Sequence, residues 1–214
     1  MSKIEKASLF LIGLSFGAAI YFYPQMPEMM ASHWNAAGEV DGYMPKALAL
    51  FLMPAMALIF FGLFLIIPRI DPLKANIGKF RRYFDIFILL FEIFFLYVYF
   101  LTIAWSFGWR FDMTAAMMPA MALLFYYLGV LIEKAERNFF IGIRTPWTLS
   151  SDNVWKKTHA RGGKLFKGAA ALTLLAAFIP DYAIYFMLVP IVGVSIYLII
   201  YSYLEFTREK KGEK

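Results

Sequence analysis

Residues 84–107 read FDIFILLFEIFFLYVYFLTIAWSF, and only Asp85 and Glu92 among them are charged. As a helix rising 1.5 Å per residue, such a segment exceeds the ~30 Å of a bilayer's hydrocarbon core. It is apolar all round rather than along one stripe, so lipid is its expected solvent. Five further apolar stretches flank it, at 7–23, 47–67, 114–132, 165–180 and 183–204. The first and fifth are short and borrow interfacial neighbours such as Tyr23 and Lys164. The whole chain of 214 residues is 61% hydrophobic and 17% charged. A soluble domain runs nearer half apolar and a quarter charged, so a soluble globule is excluded. The expected fold is all-α: a polytopic membrane protein of six transmembrane helices.

The net charge of +6 points first to nucleic acid, but the placement of the charges gives a different reading. Nineteen of the 21 basic residues fall on the N-terminal tail, the second loop, the fourth loop and the C-terminal tail, which ends at Lys214. The first and third loops hold one each, Lys46 and Arg110, and the fifth holds none. Basic residues stay on the cytoplasmic side. Both termini are therefore expected inside, in the cell (plasma) membrane, with basic residues gripping anionic lipid and no direct nucleic-acid contact. Lys3 and Lys6 ahead of the first apolar run also resemble the start of a signal peptide. That run continues through Ile20, Tyr21 and Phe22 without a small-residue cleavage site, so a retained first helix is expected.

Two loops are long enough to carry function. They divide the chain into a two-span unit, 1–67 with an outer loop 24–46, and a four-span unit, 68–214 with an inner loop 134–164, within one bundle. The outer loop holds Met26-Pro27, His33-Trp34-Asn35 and Gly38-Glu39-Val40-Asp41-Gly42-Tyr43. Its prolines and glycines predict a set of turns, with one short helix around 28–32. Trp34 and Tyr43 suit the headgroup level. The inner loop holds Asn138-Phe139-Phe140-Ile141-Gly142-Ile143-Arg144-Thr145-Pro146-Trp147-Thr148-Leu149, then Val154-Trp155-Lys156-Lys157-Thr158-His159. Ser150 or Ser151 is a good N-cap, and Gly162-Gly163 a good stop. A short helix over 152–161, lying in the cytoplasmic interface, is expected there.

These two loops, in this order and with six spans, resemble the SdpI family of bacterial and archaeal membrane proteins. The outer stretch looks like the family's short N-terminal domain of unknown function, and the inner stretch like its C-terminal signature. The resemblance covers nearly the whole chain. It implies a non-enzymatic immunity and signalling protein. In the family's namesake it implies protection from a secreted toxin peptide and capture of a cytosolic, ArsR-like repressor at the membrane. On that reading His33, Trp34, Asn35 and Asp41 are candidates for contact with an external peptide. Arg144, Trp147, Trp155, Lys156, Lys157 and His159 are candidates for a cytosolic partner or lipid.

Each candidate also has a plainer role. His33, Asn35 and Asp41 suit turns, Arg144 suits a salt bridge or lipid phosphate, and His159 suits a structural hydrogen bond. The ordinary histidine pKa near 6.5 leaves pH sensing open for His159. Asp85 stands one helical turn from Arg81 and Arg82 and reads as an ion pair. Glu92, ten residues beyond Arg82 and ~15 Å deeper along a helix, falls near the bilayer centre. An acidic residue there costs ~3 kcal/mol on insertion, so it is expected to face the bundle, protonated or paired. Asp85 and Glu92 lie seven apart and share that face. Glu92 carries the alternative reading, a small proton-coupled transporter or exporter.

Enzyme chemistry has little to stand on. No HExxH or GxSxG is present, and His33 and His159 fall on opposite sides. The absence of cysteine removes thiolate catalysis and Cys-ligated zinc. No catalytic residue, metal site or cofactor is expected. Methionines at 26, 29, 30, 53, 56, 113, 117, 118 and 121 read as packing residues rather than a copper path.

Overall fold

The computed structural model describes residues 2–212; Lys214 of the basic C-terminal tail lies outside them. The chain is mostly helical. α1 (Lys3–Phe22) opens on a capping box in which Ser2 and Glu5 exchange side-chain and backbone hydrogen bonds. A two-stranded hairpin follows, β1 (Met29–Trp34) against β2 (Val40–Pro45). α2 (Lys46–Ile70), α3 (Lys74–Ser106) and α4 (Met113–Lys134) come next, then the five-residue α5 (Pro146–Ser150), α6 (Asp152–Ala176) and α7 (Ala183–Gly212). The six long helices alternate in direction. The hairpin packs at one end of the bundle, and the 135–151 loop lies at the other. Five of the six, α1, α2, α3, α4 and α7, are long and apolar enough to cross a membrane by length and composition. The exception is α6, whose first half is polar.

The outer loop departs from the all-α expectation. Where turns and a helix near 28–32 were expected, Met29 to Trp34 are extended and pair antiparallel with Val40 to Pro45. The turn is closed by Asn35, whose Oδ1 accepts from the amides of Ala37 and Glu39, with Gly38 at φ +76°. An asparagine carbonyl satisfying two backbone donors favours a turn over a helix start at this point. The irregular pairing around His33 hides the alternation that marks a strand.

The inner loop departs too. Ser151 caps α6 as expected, accepting from the Val154 amide at 3.2 Å. The helix does not stop at Gly162-Gly163, however, and runs on to Ala176 as one element. The expected short helix and most of the fifth apolar stretch are therefore a single helix, and the short helix near the loop is α5. The reason is packing. A Cβ at Gly163 would sit 2.6 Å from the Gly129 carbonyl, and one at Gly129 would sit 2.7 Å from the Gly163 carbonyl. The α4 and α6 backbones cross where neither has a side chain, as small residues allow between membrane helices. Gly162 faces Ile143 and Leu198 just as closely. The glycines here are a crossing point rather than a terminus, and Lys167 pairs with Glu133 across the same interface at 2.6 Å.

The largest buried cluster gathers Ile12 of α1, Phe61 of α2, Phe80, Phe84 and Ile88 of α3, Leu131 of α4, and Ile141 and Trp155 of the inner region. Rings of α2 and α3 pack against it in edge-to-face contact, such as Phe64 on Phe84. The inner loop is thus continuous with the core of the helix bundle.

Candidate functional site

The 135–151 loop has no regular ladder, so side chains satisfy its backbone. Asn138, fully buried, donates to the carbonyls of Glu136 and Ile141 and accepts from the amides of Phe140 and Ile141. Asp71, at the end of α2, accepts from the amides of Leu73 and Phe139 and so ties the loop to the α2–α3 connection. Asn76 adds a bond to the Arg137 carbonyl. Thr145 and Thr148 form the capping box of α5, and Thr148 also donates to the Ile143 carbonyl. Thr145 meets Ser202 of α7 at 3.0 Å.

Trp155 and His159 form the centre of this region. Both are 1% exposed, and their rings stack at 3.9 Å with 16° between planes. Trp155 Nε1 donates to the Ala135 carbonyl at 2.7 Å. With its Nδ1–H donating to the Trp155 carbonyl at 2.8 Å, His159 presents Nε2 as the acceptor for the Ile143 amide at 3.0 Å. Burial pushes the His159 pKa down to about 4, against a smaller upward effect of the bond to the Trp155 carbonyl. A neutral imidazole with both nitrogens engaged is a structural histidine, and pH sensing near neutrality does not fit it. The ring requires Gly142. That residue has φ +117°, and a Cβ there would run into His159 Nε2.

The other inner candidates are more exposed. Arg144 reaches back to the Phe139 carbonyl. Trp147 packs on Tyr203 of α7 at 5.1 Å, and Lys157 pairs with Glu205 at 2.9 Å. Lys156 projects outward. Trp155 and His159 therefore support the loop from beneath, while Arg144, Lys156 and Arg161 are exposed, with Arg161 bonded to the Tyr197 hydroxyl of α7. Trp155, Val154 and Thr158 were expected on the membrane interface; they are buried against the bundle instead.

The polar groups within α3 lie as their spacing predicts. Asp85 accepts from Arg81 at 2.6 Å, and Arg81 also reaches Glu5 of α1. Glu92, 2% exposed, borders a small void between α1, α2 and α3, lined also by Ser15, Pro54 and Tyr99. Neither Glu92 oxygen has a hydrogen-bond partner among the described residues, and the Tyr99 hydroxyl has none either.

At the opposite end, His33 and Asp41 pair across the hairpin at 2.5 Å, both exposed to solvent. Trp34 turns inward to meet Trp105 of α3 edge-on at 5.9 Å. Asn35 is occupied by its turn. Beneath the hairpin lies a cleft of about 400 Å³ between α2, α3, α4 and the start of α7. It had no counterpart in the sequence reading, because its walls come from six elements, β1, β2, α2, α3, α4 and α7, spread along the chain. Among the described residues, no three of His, Asp and Glu converge in a way that could hold a metal ion.

Both loops match known families. Residues 134–202 match the model of the SdpI/YfhL protein family, and residues 10–58 match that of a domain of unknown function, DUF1648. Immunity protein SdpI of Bacillus subtilis (strain 168) is 26% identical over 184 residues, 85% of this chain and 86% of that protein. No solved structure matches.

Proposed function

We propose that this relative of the SdpI/YfhL family is a plasma-membrane immunity and signalling protein. It crosses the bilayer six times with both termini in the cytoplasm, binds a secreted toxin or antimicrobial peptide at the hairpin end, and engages a cytosolic repressor at the 135–151 end. The observation that carries this reading is the similarity to an immunity protein across most of both chains, with family matches falling on both loops. The geometry is suited to it. One end offers a recess under a hairpin, and the other a hydrogen-bonded loop with Arg144 and Lys156 exposed. A sixth crossing by the apolar residues 165–180, the second half of α6 and the turn after it, is supported by the packing of α6 between α4 and α7. The 19 basic residues on the inner loops and tails support the orientation.

Cells deleted for the gene should become sensitive to a specific peptide secreted by themselves or their neighbours, and the wild-type gene should restore protection. Unchanged sensitivity to all such peptides removes the proposal. Arg144→Ala with Lys156→Ala should leave protection intact and reduce membrane capture of an ArsR-like repressor, read by fractionation. An unchanged membrane fraction would remove the inner half of the proposal.

The buried and unpartnered Glu92 favours one second reading, coupling to proton movement. An ionisable group in a span is a functional-site hypothesis by default. If protons pass, proteoliposomes should show peptide- or gradient-dependent proton flux that Glu92→Gln abolishes. Equal flux in the variant, or none in the wild type, rejects this reading and leaves immunity untouched.

A further inference from the structure

We propose that the cleft beneath the hairpin is the peptide site, and that it takes the apolar face of a cationic amphipathic peptide. The proposal rests on the immunity reading and specifies its ligand.

The cleft wall is apolar and unusually rich in one residue type. Seven of the chain's 12 methionines line it, including Met44 of the hairpin, Met53 of α2, Met117 and Met121 of α4 and Met187 of α7. Methionine is unbranched, polarisable and able to repack, so a surface made of it accepts varied apolar side chains without a fixed shape. A volume of about 400 Å³ lies within the range of small-molecule sites and holds several side chains. No lining residue carries a fixed charge.

The rim is of the opposite character and selects the sign of the ligand. Five carboxylates, Glu28, Glu39, Asp41, Asp112 and Asp181, face two cations at this end, although the chain as a whole is +6. Both cations are engaged locally: Lys46 pairs with Glu28 at 2.9 Å, and Arg110 lies over the Trp105 ring. Asp112 directly precedes the lining residue Met113, and Asp181 stands three residues before the lining residue Ile184. The hairpin tip meets the same rim, since a Cβ at Gly38 would lie 3.3 Å from Asp112 Oδ1. An apolar recess with an acidic margin complements a segment that is apolar on one face and basic on the other. The acyl chain of an anionic phospholipid would fill the recess, but its phosphate headgroup would be repelled by the rim.

The test uses the full chain in nanodiscs of zwitterionic phosphatidylcholine, with empty nanodiscs subtracted. The probe is a fluorescent leucine–lysine amphipathic peptide, compared with leucine–glutamine and leucine–glutamate versions and with lysophosphatidylcholine as competitor. Saturable binding of the lysine peptide is expected, weakening as salt rises. Met117→Gln with Met121→Gln should weaken it roughly tenfold. Glu39→Gln with Asp181→Asn, both at exposed positions, should weaken it roughly threefold and flatten the salt dependence. Equal binding of the glutamate peptide, absence of saturable binding, or displacement by lysophosphatidylcholine with no effect of the rim variants overturns the proposal; the last outcome makes the recess a lipid site. The two readings fail separately. If the peptide binds as described but gene deletion sensitises cells to nothing, immunity falls and the cleft stands. If deletion sensitises cells while the methionine variants protect fully, only the cleft proposal falls.

Discussion

Gly142→Ala should lower the stability of the protein by about 3–5 kcal/mol, a large part of the ~5–15 kcal/mol that holds a domain folded. Two independent costs meet at this position. The backbone stands at φ +117°, where an L side chain is strained by ~1–3 kcal/mol. The added methyl also points into His159 Nε2, in a core whose overpacking costs a further ~1–3 kcal/mol. The ring has little room to yield. It is stacked on Trp155 and held by bonds on both nitrogens, so displacing it would leave the Ile143 amide without its acceptor. The measurement is thermal unfolding in detergent, together with proteolysis of the 135–151 loop. Gly168→Ala in α6 is the internal control. Nothing lies within 4 Å of a Cβ there, and replacing a helical glycine gains up to ~1 kcal/mol. Gly142→Ala in a His159→Ala background should cost visibly less than in the wild type, because the two changes share one contact. Additive costs would show that the collision is not what makes Gly142 necessary.

The helices were largely legible because a bilayer leaves few alternatives. α2, α4 and α7 each contain the apolar stretch that announced them, extended by a few residues at one or both ends. α3 begins ten residues earlier than its stretch, at Lys74, and turns at Phe80 (φ −118°, ψ 16°). Its polar first turns packed against the inner loop carry no hydrophobic signal. The orientation of Asp85 and Glu92 was legible too, because the cost of exposing a carboxylate to lipid fixes the face whatever the neighbours are. What stayed hidden depends on partners distant in the chain. Gly162-Gly163 is a helix stop by composition and becomes a crossing only because Gly129 stands opposite. Asp71 had no motif around it; its role lies in an amide of Phe139, 68 residues away. The hairpin was masked by the irregular register at His33, and the methionine cleft by the dispersal of its walls. Of the residues chosen for partner contact, Trp155 and His159 prove to be interior supports. Arg144 and Lys156 stay exposed.

Acidification should destabilise the protein through His159, by about 3 kcal/mol in all. In the folded chain its pKa is about 4, below the ordinary 6.5 of an unfolded histidine. Between these values the unfolded state binds the extra proton and the folded state does not, so stability rises with pH across the window. The contribution is complete above about pH 6.5 and is lost as pH falls toward about 4. Protonation at Nε2 would place a donor against the Ile143 amide, turning a bond into a clash of two donors and charging a ring that is 1% exposed. The melting temperature of the purified protein, followed from neutral pH to about pH 4.5, should therefore fall more steeply for the wild type than for His159→Gln. Glutamine keeps an acceptor for the amide and cannot titrate. The variant should be less stable at neutral pH, since the stacking on Trp155 is weakened, yet flatter across the acid range. Other titrating groups, such as Glu205 held low by its bond to Lys157, are common to both proteins, so the difference between the two curves isolates the imidazole. Parallel curves would show that His159 is not held neutral. If the difference appears as described, the 135–151 loop keeps its form throughout the neutral range, and a change of form there must be driven by a partner or by the bundle rather than by pH.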